Sequence, residues 1–475
     1  MRQLNLALAA ESEHHPSFEL IYQGDKVAAM TNGEESKVTK YLSRVERPGY
    51  RNYVLLILLL CYVSNIMDRG VLSILLEPIK HEFNASDTQL GLLGGLAFAF
   101  FYSTLGIPVA SLADRFNRRN IIIVSILLWS CMTLFSGLAT SFLWLVLARV
   151  GIGVGEAGGT PPSQSMISDY FPPNKRATAL SIYGLGIPLG TMLGNLLGGW
   201  GNDFFGWRST FALMAVPGII LAILLVTTVD EPPRGMSDKV NKEPRAASSQ
   251  NLGESLRYLW NLLSFRYLCF AATLHALATY GSASFNAAFF IRSHHMTTSE
   301  AGSWWAMFSG IGVIGLVAGG YIADKVSSKT KDRRWYMWVP GIATLFLIPF
   351  QFIGYLSPDL RMVIPSFTII SILGITFIGP TFAMVQSLAT LRMRALASAV
   401  YLLIFSLFGL GLGPTIIGMV SDFLAPWAGT SSLRYALLLS SLVNLLAAFY
   451  YFRSARTLRQ DLETTDRLNK GEAPA

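Results

Sequence analysis

Charge is what this chain has least of. Asp, Glu, Lys and Arg make up only 14% of its 475 residues, against about 25% in soluble domains. That shortage excludes a water-soluble globule. With 52% hydrophobic residues and a mean hydropathy of +0.44, most of the apolar surface must meet lipid. Cysteine is also scarce. Cys61, Cys131 and Cys269 all fall in apolar runs, which excludes a disulfide framework. Residues 1–46 are polar and lack an apolar core, so they do not read as a secretory signal. Signatures of catalysis are missing as well. The glycine-rich stretch Gly151–Gly159 has no Gly-Lys-Ser/Thr after it and lies within an apolar run, so it is no phosphate loop. His294 and His295 have no Cys or carboxylate at metal spacing. No nucleophile and base can be paired. An enzyme, a metal site and a cofactor are therefore not expected.

What remains is a set of long apolar segments. A membrane helix needs about 20 mostly apolar residues. Twelve segments qualify, at 53–79, 88–112, 120–140, 142–167, 177–201, 209–229, 265–291, 300–322, 336–356, 361–388, 394–420 and 432–453. The net charge of +8 would suit a nucleic-acid binder, but the basic residues lie in short loops between these segments. With the N-terminus inside, the inside loops hold Arg115, Arg118, Arg119, Lys175, Arg176, Lys325, Lys329, Lys331, Arg333, Arg334, Arg392 and Arg394. The outside loops hold only Lys80, Arg208, Arg292, Arg361 and Arg434. Twelve against five places both termini in the cytoplasm, and no nucleic-acid partner is expected. The expected organisation is a polar cytoplasmic tail at 1–46, a six-helix bundle at 47–230, a cytoplasmic linker at 231–262, a second six-helix bundle at 263–455 and a tail at 456–475.

The two halves repeat. Ala113-Asp114-Arg115, followed by Arg118 and Arg119, closes the second span, and Ala323-Asp324-Lys325 closes the eighth. Duplication of this kind is a transporter device. Asp114, Arg115, Arg118, Arg119, Asp324 and Lys325 are accordingly candidate gating-loop residues, or else simple interfacial charges. Gly186, Gly190, Gly194 and Gly198 pave one face of the fifth span, for close packing or as a hinge.

The twelve spans and the paired Asp-basic loops resemble the major facilitator superfamily over residues 50–455. The first loop departs from the family's pattern, with Ala110 and Asn117 where glycines are common. Asn65-Ile66-Met67-Asp68-Arg69 and Arg149-Val150-Gly151-Ile152-Gly153-Val154-Gly155-Glu156-Ala157 resemble the spinster-like branch. The resemblance implies an all-α fold of twelve transmembrane helices in two bundles, with spans one and four facing each other across a cavity. It also implies lysolipids or phosphorylated sphingoid bases as cargo.

A charge at a bilayer centre costs at least about 2.5–3.5 kcal/mol on insertion scales, so it rarely persists without a task. Asp68, Arg69, Arg149 and Glu156 are such charges. Asp68 and Arg69 are neighbours and point about 100° apart, whereas Arg149 and Glu156, seven apart, share one helix face. Glu156 and Asp68 are the candidate proton-coupling pair, and Arg69 and Arg149 the candidate anion-binding pair, since guanidinium suits phosphate and carboxylate. A permanent ion-pair lock is the alternative. Asn65, His275, Tyr280, Phe285, Asn286 and Gln386 complete the candidate substrate-binding set, with His275 equally readable as a packing hydrogen bonder. The expectation is a monomeric transporter of the bacterial inner membrane, proton-coupled, with protons, membrane lipids and an anionic amphiphile such as a lysophospholipid or a sphingosine-1-phosphate-like lipid as partners. An organic-anion or multidrug exporter and a non-transporting receptor or scaffold are the alternatives.

Overall fold

The computed structural model describes residues 41, 43–45, 47–237, 252–390 and 393–470. Most of the expected N-terminal tail, much of the linker and Arg392 lie outside these residues. Among the described residues every regular element is a helix. In the first half these are α1 (Pro48–Phe83), α2 (Asp87–Gly94), α3 (Leu96–Arg115), α4 (Arg118–Gly137), α5 (Phe142–Glu156), α6 (Thr160–Tyr170), α7 (Pro173–Gly184) and α8 (Gly186–Thr228). The second half begins with α9 (Leu252–Asn261) and α10 (Leu263–His294). It continues with α11 (Thr298–Thr330), α12 (Trp335–Leu356), α13 (Leu360–Gly374) and α14 (Ile378–Ser387). Then come α15 (Arg394–Ile404), a π-helical turn at Phe405–Gly411, α16 (Leu412–Ala428) and α17 (Ser432–Asn469).

Among the described residues nine helical stretches are long and apolar enough to cross a membrane, and a tenth forms where α9 meets α10 at an 82° bend. Two of the nine, Pro173–Thr228 and Leu396–Asn469, run 56 and 74 residues. At 1.5 Å per residue each far exceeds a hydrocarbon core of about 30 Å, so each must turn back and cross twice. In the first the return is at Gly206, whose φ of +78° suits glycine alone. The total is the expected twelve crossings, six on each side of the linker.

Local sequence explains the ends and breaks. Pro48 opens α1, and Asn84 closes it in the left-handed conformation. Ser86 with Gln89, and Thr297 with Glu300, form capping boxes that start α2 and α11, the second span of each half. Span two breaks at Gly95, span four between α5 and α6, and span ten between α13 and α14. The linker is more structured than its polar composition predicts: α9 is helical, with Leu259 and Leu262 buried and Trp260 exposed. The last helix likewise runs past residue 455, where Leu458 and Leu462 are buried and Arg459 donates to Asp332.

Candidate functional site

Span four bends right after Glu156, at the carbonyl-rich C-terminal end of α5. A carboxylate there meets the negative end of the helix dipole and needs a cation. Arg69 of α1 supplies it, with Nε 2.8 Å and Nη2 2.6 Å from Glu156 Oε2. Glycine also lets span four lie close against α4: a Cβ at Gly155 would lie 2.8 Å from the Trp129 backbone nitrogen, and one at Gly158 would overlap the Ser125 hydroxyl. On the far side of α1, a Cβ at Gly194 would lie 2.4 Å from the Met67 carbonyl. The glycine face of span five thus packs against the turn that carries Asp68 and Arg69.

The four intramembrane charges form one cluster. The Arg69 guanidinium also rests on the rings of Phe98 and Tyr102, at 4.6 and 4.7 Å. Arg149, 5% exposed, lies 4.9 Å from the Phe98 ring and within electrostatic range of Glu156 and Asp68. Neither carboxylate is within ion-pair distance of it, and its Nε has no hydrogen-bond partner. Asp68 Oδ2 accepts from Thr133 at 3.0 Å, and Oδ1 has no partner. Asn65 lies close enough to Glu156 to interact with it, yet neither its side-chain nitrogen nor its oxygen is aligned in a hydrogen bond. From the second half, Tyr280 is within electrostatic range of Arg69 and packs edge-on to Phe405.

Other candidates lie elsewhere. His275, fully buried, bonds Asn444, Thr279, Thr344 and the Gly374 carbonyl freed by the break in span ten, inside the second half. Phe285 is packed in an apolar cluster with Phe289 and Phe290. Asn286 accepts from the Tyr355 hydroxyl at 2.9 Å. Gln386 is exposed at the end of α14. These four are not brought to the charge cluster.

The candidate gating loops hold their own halves together. Arg118, 1% exposed, donates to Asp169, to Glu231 at 2.7 Å and to the Pro232 carbonyl at 3.0 Å. Arg119 donates its backbone amide to Glu231 and its side chain to the Val229 carbonyl. Arg115 is exposed, and the Asp114 side chain lies outside the described residues. Asp324 accepts from Tyr336, and Lys325 donates to Tyr321.

Hydrogen bonds and ion pairs between the halves gather at the opposite end. Arg292 of α10 donates to Glu77 at 2.7 Å and, bidentate, to Asp87 at 2.9 Å. Asp87 also pairs with Lys80 and accepts from Ser421 at 2.6 Å. Asp422 accepts from the backbone amides of Asp87 and Thr88 at 3.0 and 2.8 Å, where α2 begins. Asp203 does the same for α11, accepting from the Ser299 amide at 2.8 Å and from the Thr298 hydroxyl. Each half thus caps the second span of the other. Sequence reasoning missed this seal. Its trace is a repeated Asp-Phe, Asp203-Phe204 and Asp422-Phe423, after spans five and eleven.

Twelve crossings in two repeated halves, sealed at one end around buried mid-membrane charge, define a multi-pass membrane transporter. The model of the Major Facilitator Superfamily matches residues 58–414. An MFS-type efflux pump of Mycolicibacterium smegmatis is 31% identical over 411 residues, covering 86% of this chain and 93% of the pump. The sphingosine-1-phosphate transporter SPNS2 of Danio rerio is 27% identical over 419 residues, covering 83% and 82%. A crystal structure of a bacterial homologue of the human lysosomal transporter spinster, inward-facing and unoccupied, superposes with a TM-score of 0.80 at 33% identity, covering 87% of this chain and 99% of the other. The chain belongs to the major facilitator superfamily, in its spinster-like branch.

Proposed function

We propose that this transporter carries an anionic amphiphile across the bacterial inner membrane by alternating access, driven by protons, with both termini cytoplasmic. The observation that carries the reading is Arg149, a nearly buried guanidinium with no carboxylate among the described residues in ion-pair contact, beside an arginine that is already paired. A buried cation without a counter-ion is costly, and an anionic head group entering the chamber would offset that cost. Tyr280 and Phe405 of the second half offer an apolar, aromatic wall for a hydrocarbon tail. The name of one spinster relative, the sphingosine-1-phosphate transporter of Danio rerio, agrees with a phosphorylated lipid.

The geometry of Arg69 supports coupling. It is held by Glu156 while that carboxylate is charged. Protonation of Glu156, with Asp68 as the second acceptor, would release Arg69 to join Arg149 on the head group. With the positively charged loops in the cytoplasm, the sealed end faces outward and the chamber opens inward. In proteoliposomes, Glu156→Gln and Asp68→Asn should abolish acceleration by a pH gradient. Wild-type rates and pH dependence in both variants would refute coupling. Export of organic anions or drugs is the second reading, favoured by the mycobacterial efflux pump among the relatives.

A further inference from the structure

The coupling reading needs a path for the proton, and the substrate chamber is a poor one when a hydrocarbon tail fills it. Beside the charge cluster, within the first half, lies a small space. It is lined by Cys61, Tyr62, Asn65, Ile122, Trp129, Gly159, Thr160, Ser163 and Tyr183, with about 10 Å³ of room for the centre of a water molecule. That is close to the least a single water requires. The lining is polar where it matters. Asn65 is 3% and Trp129 1% exposed, and the amide nitrogen and oxygen of the one and the indole nitrogen of the other find no protein partner. Ser163 donates to the Gly159 carbonyl at 2.7 Å, with the Tyr183 hydroxyl beside it. Tyr62 and Tyr183 stack at 4.6 Å along one wall.

We infer that this space binds water, and that the water is a proton-access site for Glu156 past Asn65, separate from the substrate chamber. The inference rests on the coupling reading. The Trp129 indole N–H and one atom of the Asn65 amide, with the Ser163 oxygen nearby, offer a water in this space roughly the two to four polar partners that it needs. Asn65 stands between this space and Glu156, whose Oε2 is taken by Arg69 and whose Oε1 has no partner. The Asn65 amide has no proton to pass on, so a hydronium must reach Oε1 past it as that side chain turns aside; transfer to Oε1 would leave water behind and weaken the pair with Arg69. Gly159 and Thr160 lie at the break of span four, a few residues beyond Glu156, so water and carboxylate share the same bend.

X-ray hydroxyl-radical footprinting of the full chain in nanodiscs tests the water site without any transport. Bulk solvent does not reach Trp129, so its oxidation reports water bound beside it. Trp129 should oxidise at least about ten-fold faster than Phe285, which is packed in apolar surroundings, and Asn65→Leu should cut that rate about five-fold or more. Trp129 labelling no faster than Phe285, or unchanged in Asn65→Leu, would overturn the site. Ser163→Val, which fills the space with methyl groups, should slow proton-driven uptake about ten-fold at unchanged substrate Kd. Unchanged uptake would overturn the proton role. If Trp129 labels as expected while Glu156→Gln keeps the wild-type pH response, the coupling reading fails and the water site stands.

Discussion

Replacing Arg292 with Gln should loosen the seal between the halves by an amount the structure sets. The guanidinium makes three charge-assisted hydrogen bonds across the halves, to Glu77 and Asp87. Removing one member of a buried ionic group typically costs about 3–5 kcal/mol. Asp87 would keep Lys80 and Ser421, so the loss should fall nearer about 2–3 kcal/mol. These contacts join the two halves and must part when this end opens, so the loss falls on the sealed state. The ratio of sealed to open molecules should drop roughly 30- to 150-fold. Spin labels at Phe205→Cys and Trp427→Cys, exposed in the first and second halves near the seal, would read it by double electron–electron resonance. Cys61, Cys131 and Cys269 must first be replaced. Arg292→Gln should add a longer inter-label distance, and Asp422→Asn should act in the same direction. Distance distributions that match the parent in both variants would refute the claim that these contacts hold the state.

Arg149→Lys keeps the charge but loses the planar fork, so it should weaken binding of a phosphorylated amphiphile about ten-fold or more, measured by tryptophan quenching, and leave a neutral amphiphile unaffected. In the loop before α12, hydrogen bonds from Arg334 and Arg459 pull the Asp332 carboxyl down to about 2. Unfolded, it would titrate near the ordinary value of about 3.9. The stabilisation is therefore present above about pH 4 and is lost as the pH falls toward 2. The melting-temperature penalty of Asp332→Asn should be constant from pH 8 to 5 and shrink below about pH 4.

Fold and charge cluster were legible for one reason. Ionised residues inside apolar runs are rare, so Asp68, Arg69, Arg149 and Glu156 stand out, and the Asp-basic repeats mark the two halves. Hydropathy gave no hint of which way each helix turns its faces. Phe285 and Asn286 lie on the same span as Tyr280, yet Asn286 bonds Tyr355 and Phe285 packs among phenylalanines, away from the cluster. The seal stayed hidden because Glu77, Lys80, Asp87, Arg292, Asp203 and Asp422 sit at span ends, where charge is ordinary. Only their pairing across more than 90 residues of sequence gives them meaning. The helix α9 was masked by its polar neighbours, and the extension of α17 by its charges, which alternate with buried leucines.

The central claim is that a chamber holding two arginines and two carboxylates passes an anionic amphiphile. Purified protein in liposomes, given a labelled lysophospholipid, a sugar phosphate and a cationic dye with a pH gradient imposed, tests it most directly. Gradient-dependent flux of the lysophospholipid, with the other two left behind, is the result expected. Flux of the cationic dye in preference to the lysophospholipid would contradict it.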